Sequence, residues 1–109
     1  MVGYYELKKA ANGQFMFNLR AGNNEVVLTS ETYTTKSAAE AGIISVRANA
    51  GRAGAFERRK AVDGAPYFVL KAANGEILGC SETYSSASSM EHGIASVRTN
   101  AAATTVKEQ

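Results

Sequence analysis

An internal duplication is the strongest constraint on how this chain of 109 residues can fold. The segment Ser30–Tyr33 (Ser-Glu-Thr-Tyr) recurs as Ser81–Tyr84, and the same offset holds without a gap on both sides. Aligning residues 3–50 with residues 54–101 gives 23 identities in 48 positions. Because each copy is too short for a comfortable core of its own, we expect the two copies to share one core. The sequence therefore predicts a single domain, 1–109, made of repeat 1 (3–50), repeat 2 (54–101) and a closing segment (102–109).

The first part of each repeat has the two-residue periodicity of β-strands. Phe15, Phe17 and Leu19 alternate with more polar neighbours, which is typical of a half-buried strand. The links between such segments carry Asn-Gly, Asn-Asn or Asp-Gly pairs, which tolerate the positive φ of hairpin turns. Three antiparallel strands are therefore predicted in each repeat, at 4–9, 15–20 and 26–29 in the first and at 55–60, 66–71 and 77–80 in the second.

The second part of each repeat has helical periodicity. Ala39, Ile43, Val46 and Ala50 share one helix face, and the same stripe recurs as Met90, Ile94, Val97 and Ala101. Two sets of N-caps are compatible with the sequence: Thr35 and Ser86, or the capping-box serines Ser37 and Ser88. We favour Thr35 and Ser86, because the later start would shorten each helix by two residues. Asn49 and Asn100 are expected to end the helices in a left-handed conformation.

Two further features concern how the helices meet the sheet. Gly42 and Gly93 lie in mid-helix, where glycine costs about 1 kcal/mol relative to alanine, and this predicts a close approach that leaves no room for a side chain. The segment 104–107 follows the second helix at the repeat position where a strand begins. We expect it to close the sheet at an edge or beside a strand of the other half.

The repeat resembles that of the YegP-like family, small bacterial proteins of uncharacterised function that carry tandem repeats. The matching residues of repeat 1 are Gly3, Tyr5, Leu7, Asn12, Gly13, Ser30, Glu31, Tyr33, Gly42, Ile43, Ser45, Val46, Arg47 and Asn49. Those of repeat 2 are Gly54, Phe56, Gly64, Ser81, Glu82, Tyr84, Gly93, Ile94, Ser96, Val97, Arg98 and Asn100. The resemblance implies one sheet built from two β3-α-β units whose final strands are exchanged between the halves, and it brings no activity, substrate or cofactor.

Together these patterns predict an α+β fold, with one mainly antiparallel sheet and two helices packed on one of its faces. The other face is then left for water or a partner, and mixed surfaces of this kind are where interaction sites occur. The alternation assigns to that face Met16, Asn18, Arg20, Tyr67, Val69 and Lys71, together with Val27 and Leu78. We therefore expect a non-catalytic binding or accessory module that meets a partner protein through this face.

The polar residues common to both repeats allow two interpretations. Glu31, Tyr33, Ser45 and Arg47, with their counterparts Glu82, Tyr84, Ser96 and Arg98, could form a pair of symmetric ligand pockets. Alternatively, they shape the connection between strand and helix, with arginine paired to glutamate or to helix carbonyls. We favour the structural interpretation, because duplication of a fold element duplicates its scaffolding residues first.

Weak nucleic-acid binding is the alternative function. Basic side chains lie on several predicted strands, and basic and aromatic side chains on an open sheet are what single-strand binders use. Against this, glutamates are interleaved with the basic residues, and 12 basic against 10 acidic residues leave a net charge of only +2.

The remaining residues suggest no catalytic centre, cofactor or metal site. His92 is the one histidine and is expected on an exposed helix surface, and Cys80 is expected to be a small packing residue. One cysteine cannot form an internal disulfide, which fits a reducing compartment. No apolar run approaches the roughly 20 residues of a membrane span. We expect a cytoplasmic protein with no membrane partner.

Overall fold

The computed structural model describes residues 3–52 and 54–108; residues 1–2, 53 and 109 of the predicted domain lie outside the described residues. Seven strands and two helices follow each other along the chain as two equivalent halves and a closing strand. They are β1 (Tyr4–Lys9), β2 (Phe15–Arg20), β3 (Val26–Ser30), α1 (Lys36–Asn49), β4 (Phe56–Lys60), β5 (Pro66–Lys71), β6 (Ile77–Cys80), α2 (Ala87–Asn100) and β7 (Val106–Glu108). The predicted α+β class is confirmed.

All the strands belong to one sheet, in the order β4-β5-β6-β3-β2-β1-β7. The two halves join where β3 pairs with β6, through Thr29 opposite Cys80 and Ser30 opposite Gly79. Every pairing is antiparallel except that of β7 with β1, which is parallel. The segment that follows α2 thus joins the sheet beside the first half, and the strand that follows α1 pairs within the second half. The predicted strand exchange is confirmed.

The hairpin turns follow from residues that accept a left-handed backbone. Asn24 adopts φ 70° and its counterpart Gly75 adopts φ 88°, as the predicted turns require. In each case the asparagine before the turn position supports it, since Asn23 and Asn74 accept the backbone N–H of the glutamate two residues later at 3.1 and 3.0 Å. These turns bring consecutive strands together in register.

Both helices cover the same face of the sheet and extend across both halves. α1 packs on β2 and also on β5 and β6, while α2 packs on β5 and also on β2 and β3. The predicted helix stripes are buried against Phe17 and Phe68 and their neighbours in one shared core. The first residues of the helices are capped as predicted, because Thr35 Oγ1 accepts the Ala38 N–H and Ser86 Oγ accepts the Ser89 N–H.

The helices end at Asn49 and Asn100 as predicted, but the predicted left-handed conformation of these ends is wrong. Ala50 and Ala101, which follow Asn49 and Asn100, are right-handed with φ near −60°, and both asparagines are still helical. Their side-chain amides instead donate to the carbonyls of Ser45 and Ser96 at 2.8 Å. The asparagines therefore satisfy carbonyls of the last turn by folding back on it.

The predicted exposure of Val27 and Leu78 on the uncovered face is also wrong. Leu28 pairs with Leu19 and Val26 with Arg20, so Val27 is the extra residue of a β-bulge. Leu78 occupies the equivalent bulge opposite the Leu70–Lys71 step. A bulge interrupts the alternation of side chains, and both residues join the core on the helix side.

Candidate functional site

The face of the sheet opposite the helices, here called the open face, places two equivalent charge clusters on its outer strands. In the first cluster Glu6 Oε1 accepts from Arg20 Nε at 3.2 Å and from Arg20 Nη2 at 3.1 Å, with Lys8 Nζ 3.7 Å away. In the second, Glu57 pairs with Arg59 at 2.7 Å and with Lys71. The members correspond by repeat position: Glu6 to Glu57, Lys8 to Arg59 and Arg20 to Lys71. They lie on the open face because alternate residues of each strand face this side.

Both central carboxylates are held in the charged form. Burial alone would raise the pKa of Glu6, but hydrogen bonds and charge from Arg20 outweigh it and lower the pKa. Hydrogen bonds from Arg59 and then from Lys71 lower the pKa of Glu57 to about 2. Each glutamate therefore stays ionised at neutral pH and orients two cationic side chains.

The open face is cationic despite the small net charge of the chain. Among the described residues its strands carry five basic side chains, Lys8, Arg20, Arg59, Lys71 and Lys107, against the carboxylates Glu6 and Glu57. Other basic residues of the strands point to the helix side, as shown by the ion pair between Arg58 and Glu91 of α2. A partner with acidic groups is electrostatically matched to this face.

Between the two charge clusters lies a strip of less polar side chains. Met16 and Tyr67 occupy equivalent places on β2 and β5 and are half-buried. Asn18 and Val69, also predicted as contact residues, are only 5% and 3% exposed, so the prediction is wrong for them. They lie in the middle of central strands, where neighbouring side chains cover them, and Asn18 Oδ1 accepts the Thr29 hydroxyl at 3.0 Å. Met16, Tyr67, Arg20 and Lys71 can meet a partner directly.

The repeated serines and tyrosines make internal contacts. Ser30 Oγ accepts the Phe17 N–H at 2.9 Å and donates to the Glu31 carbonyl, and Ser81 repeats both bonds with Phe68 and Glu82. The Tyr33 and Tyr84 rings stack on Phe17 and Phe68. The backbone carbonyls of Ser45 and Ser96 accept hydrogen bonds from the side-chain amides of the asparagines that end the helices.

Neither repeated arginine has the predicted partner. Arg47 lies over the Tyr5 ring and donates from Nε to the Ala103 carbonyl at 3.0 Å, beyond the end of α2. Arg98 lies over the equivalent Phe56 ring, 5.1 Å from its centre. Glu31 and Glu82 precede the helices, whereas the arginines occupy the last helical turns, so a 14-residue helix separates the members of each pair. The geometry therefore does not bring the glutamate and the arginine of either repeat together.

A crevice of about 460 Å³ lies between the start of β3 and α2. Glu82, Tyr84 and Ser96, three of the four repeated polar residues of the second half, line it. His92 of α2 and Glu25 from the turn of the other half also line it. Burial first, and then the charges of Glu82 and Glu25, raise the pKa of Tyr84, so its phenol stays protonated. Sequence reasoning missed Glu25 here, because only the association of the halves brings that turn to α2.

The described residues offer no metal centre and no activated thiol. No group of three or more metal-ligating side chains occurs in 3–52 and 54–108. Burial, with the charge of Glu31, raises the pKa of the half-buried Cys80, which disfavours the reactive thiolate. His92 is exposed on α2, as predicted. Within the same residues, no helix has the length and apolar character required to cross a bilayer.

Comparison with known proteins gives a consistent assignment. The protein is 51% identical over 107 residues to a UPF0339 protein of Mannheimia succiniciproducens, covering 98% of this chain and 95% of the relative. The solution NMR structure of yegP from E. coli, a protein of unknown function, matches with a TM-score of 0.94 at 50% identity, covering 100% and 94% of the two chains. A UPF0339 protein from Shewanella oneidensis, also solved by NMR, has a TM-score of 0.92 at 49% identity, with 99% and 92% covered.

The family match also repeats along the chain. Residues 10–57 and 61–108 each match the domain of unknown function DUF1508. Each match begins before the second strand of a half and ends in the strand that follows the helix, so β7 occupies the same place in its unit as the start of β4. The chain thus belongs, as two tandem copies, to the DUF1508 family that includes the UPF0339 and YegP proteins.

Proposed function

We propose that the protein is a small non-catalytic binding module that engages a partner protein through its open face. The observation that supports this proposal is the placement of both helices on one side of a seven-stranded sheet, which leaves the other side uncovered. Most single sheets with one packed face turn a polar face to water. This one also presents a half-buried tyrosine and methionine between two ordered charge clusters.

The character of the open face defines the partner that would fit it. The large hydrophobic residues that are exposed, Ile44, Val62 and Val106, lie on α1, in a turn and on the helix side of β7, so the open face has no broad apolar patch of exposed large side chains among the described residues. Tyr67 can act as an aromatic anchor beside Arg59 on the neighbouring strand. The surrounding cations favour an acidic partner surface.

Variants on the two sides of the sheet test the proposal. The immobilised protein would be used to capture partners from a bacterial lysate, alongside Tyr67→Ser, Arg20→Gln and the control Ile44→Ser, which alters an exposed residue of α1. We expect a captured protein to be lost with the two face variants and kept with the control. Arg20 also holds the turn carbonyl of Asn24 at 2.7 Å, so thermal unfolding must show that its variant folds.

Two results would contradict the proposal. One is capture that survives the Tyr67→Ser substitution and the other is capture that the Ile44→Ser control abolishes equally. NMR titration with the purified captured protein would then locate the contact, and resonance shifts confined to the helices would exclude the open face.

Single-stranded nucleic acid is a second candidate ligand, favoured by the five basic side chains of the open face. Phosphate contacts release counterions, so the affinity for a single-stranded oligonucleotide would fall steeply between low and moderate salt. An affinity that is independent of salt, or equal for Tyr67→Ser and the unaltered protein, would contradict this candidate.

A further inference from the structure

The two outer edges of the sheet are not equivalent, although the two halves are. β1 is covered on its outer edge by β7, whereas β4, its repeat counterpart, pairs only with β5 among the strands of residues 3–52 and 54–108. An uncovered edge strand presents a row of backbone groups that can pair with an extended chain.

The covered edge shows how such a chain is held. The Tyr5 N–H donates to the Thr105 carbonyl at 3.0 Å, and β7 continues parallel to β1 with Val106 opposite Tyr5. Two residues before Thr105, the Ala103 carbonyl accepts a hydrogen bond from Arg47 Nε at 3.0 Å, and the Arg47 guanidinium lies over the Tyr5 ring. Arg47, which lies over the Tyr5 ring, therefore binds the main chain just before the strand pairing begins.

An equivalent arginine and aromatic ring lie at the edge of β4. Arg98, the counterpart of Arg47, lies 5.1 Å from the centre of the Phe56 ring, and its guanidinium has no hydrogen-bond partner among the described residues. The Lys71 N–H donates to the Ala55 carbonyl at 2.8 Å, so that carbonyl points toward β5. Because successive strand residues direct their backbone groups to opposite edges, those of Phe56 and Arg58 point away from β5.

From this correspondence we infer that the outer edge of β4 is a binding site for an extended, acidic segment of another protein. The segment adds parallel to β4, as β7 adds to β1, and Arg98 donates to one of its main-chain carbonyls. Beside this edge two carboxylates, Glu57 and Glu91, pair with Arg59 and Arg58. Lys60 of β4 and Arg98 over Phe56 are further cations, so acidic side chains match the edge. This site is separate from the open face and does not depend on the function proposed above.

A second copy of this chain fits the edge less well. Antiparallel pairing of β4 with itself about its middle residue places Arg58 opposite Arg58, and like charges in opposed positions destabilise a sheet. The C-terminal segment of a second copy would also lose its side-chain contacts, since Lys36, which pairs with Glu108, is replaced by Ala87 at the equivalent position. Tyr4, which lies under Lys107, is likewise replaced by Ala55.

A short synthetic peptide that alternates valine and glutamate is the probe. NMR resonances and amide exchange of the intact protein would be followed during titration, with a valine–lysine peptide as the charge control. We expect the acidic peptide to shift the Phe56 and Arg58 amide resonances and slow their exchange, with smaller changes at Tyr5, which β7 already covers. Arg98→Gln should weaken binding by about fivefold, the value of one hydrogen bond.

Two variants at one position isolate the backbone contact. Arg58→Pro removes the outward N–H and Arg58→Ala keeps it, while both lose the exposed ion pair to Glu91. We expect peptide binding to be lost in the proline variant and retained in the alanine variant, with unchanged resonances of β1 and β7 showing that the protein folds. The inference is overturned by equal binding of the lysine peptide, by binding that survives Arg58→Pro, or by no resonance shift at excess acidic peptide. Self-association in sedimentation that Arg58→Pro abolishes would also overturn it, because a second copy would then occupy the edge.

Discussion

At the scale of the residue, glycines set how closely each helix approaches the sheet. A Cβ atom on Gly42 would lie 2.8 Å from Tyr33 Cζ and 3.0 Å from Phe17 Cε2, and Gly93 faces Tyr84 and Phe68 in the same way. The Tyr33 ring also stacks on Phe17, so a shift of this ring away from a Cβ at Gly42 would disturb that contact. The space that a side chain would need is thus filled by the aromatic pair.

We predict that Gly42→Ala destabilises the protein although alanine is the better helix former. The propensity gain is about 1 kcal/mol, and overpacking a tight contact costs about 1–3 kcal/mol. The free energy of unfolding in urea should therefore fall by up to about 2 kcal/mol. Gly51→Ala is the control, since a Cβ there meets nothing within 4 Å and should not destabilise. A stabilised Gly42→Ala variant would disprove the close approach.

Tyr5 predicts a loss of stability at alkaline pH. Burial raises its pKa to about 12, against the opposing charge of Arg47, and its hydroxyl donates to the Ala101 carbonyl at 2.7 Å. A raised folded-state pKa means that this stabilisation is present below pH 10, the ordinary tyrosine value, and is lost as the pH rises toward 12. Tyr5→Phe should cost about 1 kcal/mol at neutral pH and flatten the decline between pH 10 and 12, as thermal unfolding would show. An unchanged alkaline profile would contradict this assignment.

At the scale of the element, β7 illustrates what a repeat can predict and what it cannot. The register of the repeat places a strand after α2, and the structure has it at Val106–Glu108. Its parallel orientation and its anchor could not be derived, because both come from contacts with β1 and Arg47 in the other half. The bulges at Val27 and Leu78 were not predicted either, because a bulge arises from the pairing of a strand with its neighbour and leaves no pattern in one strand alone.

The candidate site was predictable to the same extent. Alternation along β2 and β5 placed Met16, Arg20, Tyr67 and Lys71 on the open face. The burial of Asn18 and Val69 depends on neighbouring strands, which alternation within one strand does not describe. Residues that depend on local periodicity were therefore found, and those that depend on the assembly of the halves were not.

Removal of the two repeat-equivalent arginines should have different effects. Arg47→Ala removes the bond that positions the segment before β7, at a cost of about 1 kcal/mol, and should accelerate amide exchange at Tyr5, which β7 protects. Arg98→Ala should leave exchange at Tyr5 unchanged, because Arg98 contacts Phe56 at the far edge. Equal effects of the two substitutions on Tyr5 would show that Arg47 does not anchor β7.

At the scale of the whole molecule, the halves are complementary at their junction. Repeat equivalence places Leu28 on β3 and Gly79 on β6, where these strands pair. A Cβ on Gly79 would lie 2.8 Å from the Thr29 carbonyl oxygen and 3.0 Å from Leu28 Cγ. A side chain at Gly79 is therefore excluded both by the backbone of β3 and by Leu28, which fills this space while buried in the shared core.

This arrangement predicts energetic coupling between the two positions. Leu28→Gly empties part of the core, and truncation of a buried leucine costs about 2–5 kcal/mol. Gly79→Leu overfills the same space, at about 1–3 kcal/mol or more. Removal of Leu28 relieves the contact with its side chain and leaves the Thr29 carbonyl oxygen in place. The double exchange Leu28→Gly/Gly79→Leu should therefore be less destabilised than the sum of the single variants but less stable than the unaltered protein, as measured by urea unfolding in a double-mutant cycle. Additive effects would show that the two positions do not share one space.

The single leucine at the junction also bears on the history of the duplication. A symmetric ancestor made of two identical copies would have carried the same residue at both positions beside its axis. With leucine at one position and glycine at the other, the copies are no longer interchangeable. The duplicated segments are therefore not redundant, because replacing either by its sibling would leave two leucines or two glycines beside the axis.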